Sequence, residues 1–124
     1  MNSRYCLKMD LMHDSSRRVV INSKVYFCEG MAYKPHQCYG GIEMNEVIFT
    51  RNHIRHLTPK EKNYFWTEVN CALVCSFFHK RYGHSRAFRE WWIERAISLY
   101  GIDEVSGFID NAPLKIKGYN YIIS

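Results

Sequence analysis

Apolar and polar residues first fall into a clear order in Arg18-Val-Val-Ile-Asn-Ser-Lys-Val-Tyr-Phe-Cys28. Two β-rich runs flank Asn22-Ser23 there, a pattern that predicts a hairpin turning at those two residues. A second run, from Ile42 through Val47-Ile48-Phe49-Thr50, predicts a strand; a polar stretch containing Pro59 predicts a long loop; and Cys71-Ala-Leu-Val-Cys75 predicts another short strand. The longest helical period comes next. Phe88, Trp91, Trp92, Arg95, Ala96 and Leu99 recur at helical spacing, with Arg86, Arg89, Glu90 and Glu94 between them. Ser85 is suited to cap its start and Gly101 to stop its end. Pro113 to Ser124 alternates around Lys117-Gly118 and predicts a closing hairpin. The fold class read from this order is α+β.

Composition narrows the class. At 124 residues and 47% hydrophobic, the chain suits a single domain over 1–124 that buries a core without disulfides. There are no repeats and no low-complexity tracts. Lys and Arg number 17 against 12 Asp and Glu, giving +5 and a sequence pI near 9.0, which favours a polyanionic partner such as nucleic acid. Arg4, Lys8 and Asp10 interrupt the apolar residues of the first dozen positions, so no secretory signal is expected. No window approaches the roughly 18 apolar residues of a membrane span. A cytoplasmic protein is the expectation. The five cysteines, Cys6, Cys28, Cys38, Cys71 and Cys75, are odd in number and unevenly spaced, which fits free thiols in a reducing compartment.

Candidate chemistry concentrates in His53, His56, Asn70, His79 and His84, within Asn52-His-Ile-Arg-His-Leu-Thr-Pro59, Asn70-Cys-Ala-Leu-Val-Cys75 and Phe78-His-Lys-Arg-Tyr-Gly-His84. Hydrolysis of a phosphodiester needs a base to deprotonate water and a divalent cation to take up charge on phosphate and leaving oxygen. Imidazole serves in either role near neutrality. The segments His56-Leu-Thr-Pro59, Asn70 to Cys75, and His79, together with Tyr64-Phe-Trp-Thr-Glu-Val-Asn70 and Phe88 to Val105 with Tyr100-Gly101, resemble the HNH (ββα-metal) endonuclease family, and in particular its small phage-encoded members.

That resemblance implies a ββα-metal core of two short strands and a helix, between about residues 38 and 101, with N- and C-terminal hairpins added to it. It implies a metal-dependent endonuclease acting on nucleic acid, DNA ahead of RNA, with Mg²⁺ or Mn²⁺ ahead of other divalent transition metals. A phage origin would place such a protein in the cytoplasm of a bacterial host. His56 takes the place of the general base, with His53 as the other candidate; His79 and His84 are the metal ligands, with Asn52 as a further oxygen donor. Because His79 and His84 are five apart, about 140° out of register on a regular helix, Gly83 is expected either to allow a bulge or to break the helix and bring His84 back. Asn70 is grouped with the catalytic residues, its side chain bridging backbone groups across the loop.

The family also carries paired Cys-x2-Cys knuckles for a structural zinc. Here Gly41 and Phe78 stand at two of the four ligand positions, leaving Cys38 and Cys75. A tetrahedral zinc needs four ligands, so no structural zinc is expected unless Cys28, Cys71 or a histidine completes the set. Arg55, which cannot ligate a cation, occupies the position beside His56 where the family places a ligand. Trp91 and Trp92 read as core rather than as a base-stacking surface. Lys60, Lys62, Lys80, Arg81, Arg86 and Arg89 are the candidates for phosphate contacts. The alternative class is a degenerate HNH-like protein that binds nucleic acid or a protein partner, as an accessory or inhibitor factor. A small α+β interaction domain with accidental histidine spacing is the third. DNA versus RNA and oligomeric state are left open.

Overall fold

The first hairpin turns where its sequence allows a left-handed backbone. In the computed structural model, which describes residues 4–114, Asn22 and Ser23 have φ of 50° and 67°, as a two-residue turn between strands requires. They join β1 (Val19–Ile21) to β2 (Lys24–Tyr26) in an antiparallel pair, with Val20 opposite Val25. A helix, α1 (Arg4–Met12), precedes them and a short one, α2 (Gly30–Tyr33), follows. The chain is mixed α+β.

The centre is a second antiparallel pair, β3 (Ile42–Glu46) and β4 (Cys71–Cys75), in register Ile42 to Cys75 and Glu46 to Cys71. β4 is buried along its whole length because both faces of the pair are covered. Ala72, Val74 and Cys75 enter the main core with Ile48, Phe49, Phe78, Phe88 and Trp92. Cys71, Leu73 and Met44 pack on Leu11 of α1, with Leu7 and Met12 at the edge. A strand enclosed on both sides reads as an unbroken apolar run, and it is α1, unmarked in the sequence pattern, that closes the second face.

β3 ends at Glu46, four residues short of the strand expected through Thr50. Beyond it the backbone still follows β4's lead-in, with Val47 N donating to Asn70 O at 2.8 Å, and then turns into α3 (Arg51–Ile54). Thr50 starts that helix through a capping box with His53, and Thr58 starts α4 (Pro59–Lys62) through another with Glu61. The long polar loop is therefore built of capped single turns.

After β4 the chain enters α5 (Ser76–Arg81), breaks, and continues as α6 (Arg86–Tyr100), whose Ser85 N-cap accepts from Phe88 N. Trp92 is fully buried and its Nε1 donates to Val69 O, as a core residue must. Gly101, at φ 94°, ends α6, and the chain turns directly into α7 (Ile102–Asp110), which buries Val105, Phe108 and Ile109. The closing hairpin expected around Lys117-Gly118 lies outside the described residues. None of the described helices is long and apolar enough to cross a membrane.

Three charged residues cross the core. Glu29, fully buried, accepts from Arg17 Nε and Nη2 at 2.8 and 2.7 Å, from Arg95 Nε at 3.0 Å and from Leu73 N at 2.8 Å. Arg17 also donates to Cys71 O, Glu68 O and Tyr100 Oη. Removing one partner of such a pair strands the other charge in the core, a loss of about 3–5 kcal/mol. Arg17→Ala is therefore expected to lower unfolding free energy by that amount in urea titration, with Arg55→Ala, at an exposed position, as the comparison.

Candidate functional site

Two clusters of polar residues meet α5, one through His79 and one through its N-cap Cys75. The first is a cleft of about 550 Å³ at the end of β3, lined by Asn45, Glu46, His53, His79, His84 and Arg89, with Arg4, Thr50, Arg51 and Asn52 around them. His79 Nδ1 donates to Glu43 Oε1 at 2.7 Å, so that in the neutral ring Nε2 is the nitrogen with the lone pair. Ser76 Oγ donates to the other Glu43 oxygen at 2.6 Å, and these bonds hold the Glu43 carboxyl below its ordinary range. The His79 and His84 rings lie 5.1 Å apart.

The approach of the two histidines comes from a helix break, one of the two routes the spacing allowed. α5 stops at Arg81, Tyr82 caps it, and Gly83 carries the chain across β3, where Asn45 Nδ2 donates to Gly83 O at 2.9 Å. A Cβ at residue 83 would stand 2.6 Å from His79 O and 2.8 Å from Asn45 Nδ2. Only glycine fits there.

Asn45 and Glu46 were absent from the sequence-derived site. Glu46 is 4% exposed; Arg4 Nη2 donates to its Oε1 at 2.8 Å, while Oε2 lies 3.4 Å from Arg51 Nε and accepts no hydrogen bond. Asn45 Oδ1 is likewise buried without a donor. Asn45 Oδ1, which no donor reaches, and the Glu46 carboxylate thus share the cleft with two imidazoles. The signal that could have found them is Asn45-Glu46 ending a β-run, polar where a paired strand should be apolar.

The structure does not place His56 at a strand end: the residue there is Glu46, ten positions earlier. His56 is exposed in the turn after α3 and does not line the cleft, because the Thr50 cap bends the chain away before reaching it. His53 does line it, but its Nδ1 accepts from Thr50 N at 3.1 Å, so the neutral ring carries its proton on Nε2. Burial, and then the Arg89 cation, lower its pKa. His53 thus offers a donor, neither a free base nor a metal ligand. Asn52 stays at the rim. Of the basic residues singled out, Arg89 lines the cleft, Lys80 and Arg81 lie on the far side of α5, Arg86 pairs with Glu90, and Lys60 and Lys62 belong to α4.

Asn70 lines neither cluster. It is fully buried; its Oδ1 accepts from Phe49 N at 2.8 Å, and its Nδ2 donates to Phe49 O and Phe65 O, each at 3.0 Å. One amide thereby ties both ends of the long loop to β4. Its role is positioning.

The second cluster consists of Cys28, His36, Cys38 and Cys75, whose ligand atoms all lie within 4.8 Å of one another and could hold a metal ion. His36 Nε2 is 3.7, 3.6 and 3.4 Å from the sulfurs of Cys28, Cys38 and Cys75. Its Nδ1 donates to Lys34 O at 2.7 Å, which leaves the Nε2 lone pair facing the thiols. Burial raises the Cys28 thiol and pushes Cys38 up to about 12. At Cys75 burial also opposes ionisation, but N–H groups of Phe78 and Tyr39 and the His36 ring outweigh it and bring the thiol to about 7. The expectation of no structural zinc rested on the loss of two ligands at Gly41 and Phe78. The fold supplies Cys28 and His36 instead, so the four-ligand condition is met; Cys71 is elsewhere, its Sγ donating to Phe65 O. The cluster therefore draws two of its four residues, Cys28 and His36, from before residue 38.

No family model, curated protein or solved structure matches the chain.

Asn70→Ala is expected to take one hydrogen bond from each of three buried backbone groups, Phe49 N, Phe49 O and Phe65 O. At about 0.5–1.5 kcal/mol for each such bond, the midpoint of thermal unfolding should drop by several degrees, and hydrogen exchange at Phe49 N should speed up before global unfolding.

Proposed function

We propose that this protein is a metal-dependent endonuclease that hydrolyses nucleic-acid phosphodiester bonds in the β3–α5 cleft. The observation that carries this reading is the buried Asn45 Oδ1 that no donor reaches, beside the buried Glu46 carboxylate, in a cleft that also holds His79 and His84. A mixed oxygen and nitrogen set suits Mn²⁺, with Mg²⁺ and other divalent transition metals behind it. When bound, the cation supplies an activated water and takes up charge on the phosphate. His79 is held for this by Glu43. Arg89 and the Nε2 proton of His53 face the cleft as donors to phosphate oxygens, and Arg4 Nη2 donates to Glu46 Oε1 and holds the carboxylate in place. The net charge of +5 favours the polyanion.

The test is nicking of supercoiled plasmid and cleavage of single-stranded DNA and RNA with Mg²⁺ or Mn²⁺. Glu46→Gln and His79→Ala should each lower cleavage by about 10²-fold or more, with partial recovery at high Mn²⁺ because mass action refills a weakened site. His56→Ala should leave it near wild type. Loss of cleavage in His56→Ala alone would return the base to the position first read from sequence. If the wild type binds nucleic acid but cuts none of these substrates with either metal, it is an HNH-like binding protein without catalysis.

The cysteine cluster fits a structural zinc. A tetrahedron with Zn–S of about 2.3 Å and Zn–N of about 2.0 Å has S···N edges of about 3.5 Å, close to the separations of 3.4 to 3.7 Å found at His36. Bound zinc would hold all three thiols ionised and fasten the segment at 28–38 to the start of α5. Elemental analysis after mild chelation should find one zinc per chain in the wild type and far less in Cys75→Ser. A wild type free of zinc after expression in zinc-supplemented medium would refute the site.

A further inference from the structure

Behind α5, on the side away from the cleft, lies a groove of about 780 Å³ lined by Tyr39, Gly40, Ser76, Phe77, Lys80 and Arg81. Its aromatic residues are out of place for a core: Tyr39 is 79% exposed and Phe77 38%. They are nonetheless held in fixed relation. Phe77 N donates to Tyr39 O at 3.0 Å and Ser76 N to Gly41 O at 3.0 Å. The turn between them closes so tightly that a Cβ on Gly40, at φ 81°, would stand 2.6 Å from Ser76 Cβ. The cysteine cluster flanks the same turn, since Tyr39 follows Cys38 and the Phe77 ring lies 5.9 Å from that of His36.

Among the described residues no carboxylate lines the groove, whereas two cations do. Glu43, which accepts from Ser76, turns its other oxygen to His79 in the cleft. The groove and the cleft are thus joined through Ser76, Glu43 and His79 across one helix, whose width is on the order of 10 Å. An exposed aromatic face beside cations matches nucleobases, which stack on such rings while their phosphates meet Lys and Arg. In an intact duplex both faces of a base are already stacked. Only an unpaired base can enter.

We propose that the Tyr39–Phe77–Lys80–Arg81 groove seats an unpaired nucleobase of a strand whose backbone passes over α5 into the cleft, so that the substrate is single-stranded nucleic acid or carries unpaired nucleotides. The inference rests on the nuclease reading for the cleft, but the binding it describes is independent of cleavage.

The experiment measures binding of a short fluorescent single-stranded oligodeoxynucleotide, and of the same strand annealed to its complement, without added divalent ion so that no cleavage intervenes. The wild type should prefer the single strand. Tyr39→Ala should weaken single-strand binding about tenfold and Tyr39→Phe should retain it; at so exposed a position neither change should alter the melting temperature. Lys80→Ala should weaken both forms and reduce the salt dependence. 2-Aminopurine in the strand should be quenched by wild type and not by Tyr39→Ala. Equal affinity for duplex, wild-type binding by Tyr39→Ala, or displacement of the strand by polyglutamate at equal charge would each overturn the proposal, the last by assigning the groove to acidic polymers at large. Tyr39-dependent single-strand binding in a protein that cleaves nothing with any metal would support the groove while removing the nuclease reading.

Discussion

Much of this structure depends on one buried carboxylate. Glu29 has no access to water, and Arg17, Arg95 and the backbone N–H of Leu73 satisfy it together. Those partners come from the turn before β1, from α6 and from the middle of β4. A charge in a core is tolerated only when its lone pairs are filled, so these elements must arrive together or not at all. Arg17 extends the constraint by donating to Cys71 O and Glu68 O and by lying over the Trp92 ring, 5.0 Å from its centroid. The network thereby sets the position of β4, which gives Cys75 to the cysteine cluster and pairs with β3, the strand whose end lines the cleft. An ionic network of this kind contributes specificity of arrangement more than net stability.

Around β4, the two clusters use the same short helix. Cys75 starts α5 by accepting from Phe78 N and belongs to the cysteine cluster; His79, one turn later, belongs to the cleft. Ser76 and Glu43 join the two sides. Metal bound at the cysteines would fix the start of α5, and so fix where His79 points. A cation bound in the cleft would need that rigidity, because such a site tolerates little movement of its ligands. Asn70 provides the corresponding control from the loop side, since its amide holds Phe49 and Phe65 and so sets the approach of α3, with His53, to the end of β3.

Local signals were legible where the chain carried its own reason for a shape. The Asn22-Ser23 turn, the β4 run, the Ser85 cap and the Gly101 stop all lie where the pattern put them, because backbone handedness, apolar periodicity and capping act over a few residues. His79 and His84 fell within the same local reach, and Gly83 offered the break that joins them. α1 and α7 were not legible in the same way. α1 alternates charge with apolar groups and shows its purpose only against the second face of β4.

What the sequence by itself determined was the α+β class, the register of the first hairpin, the long helix and the histidine pair on either side of Gly83. Only the tertiary structure decided that Glu46, and not His56, ends the strand beside that pair, and that Cys28 and His36 complete the ligand set Gly41 and Phe78 had left open. The reason is range. A cap or a periodic face is stated by neighbours in the chain, whereas the four cysteine-cluster ligands span residues 28 to 75. Their meeting follows from β3 and β4 pairing and from a buried charge that only folding can satisfy.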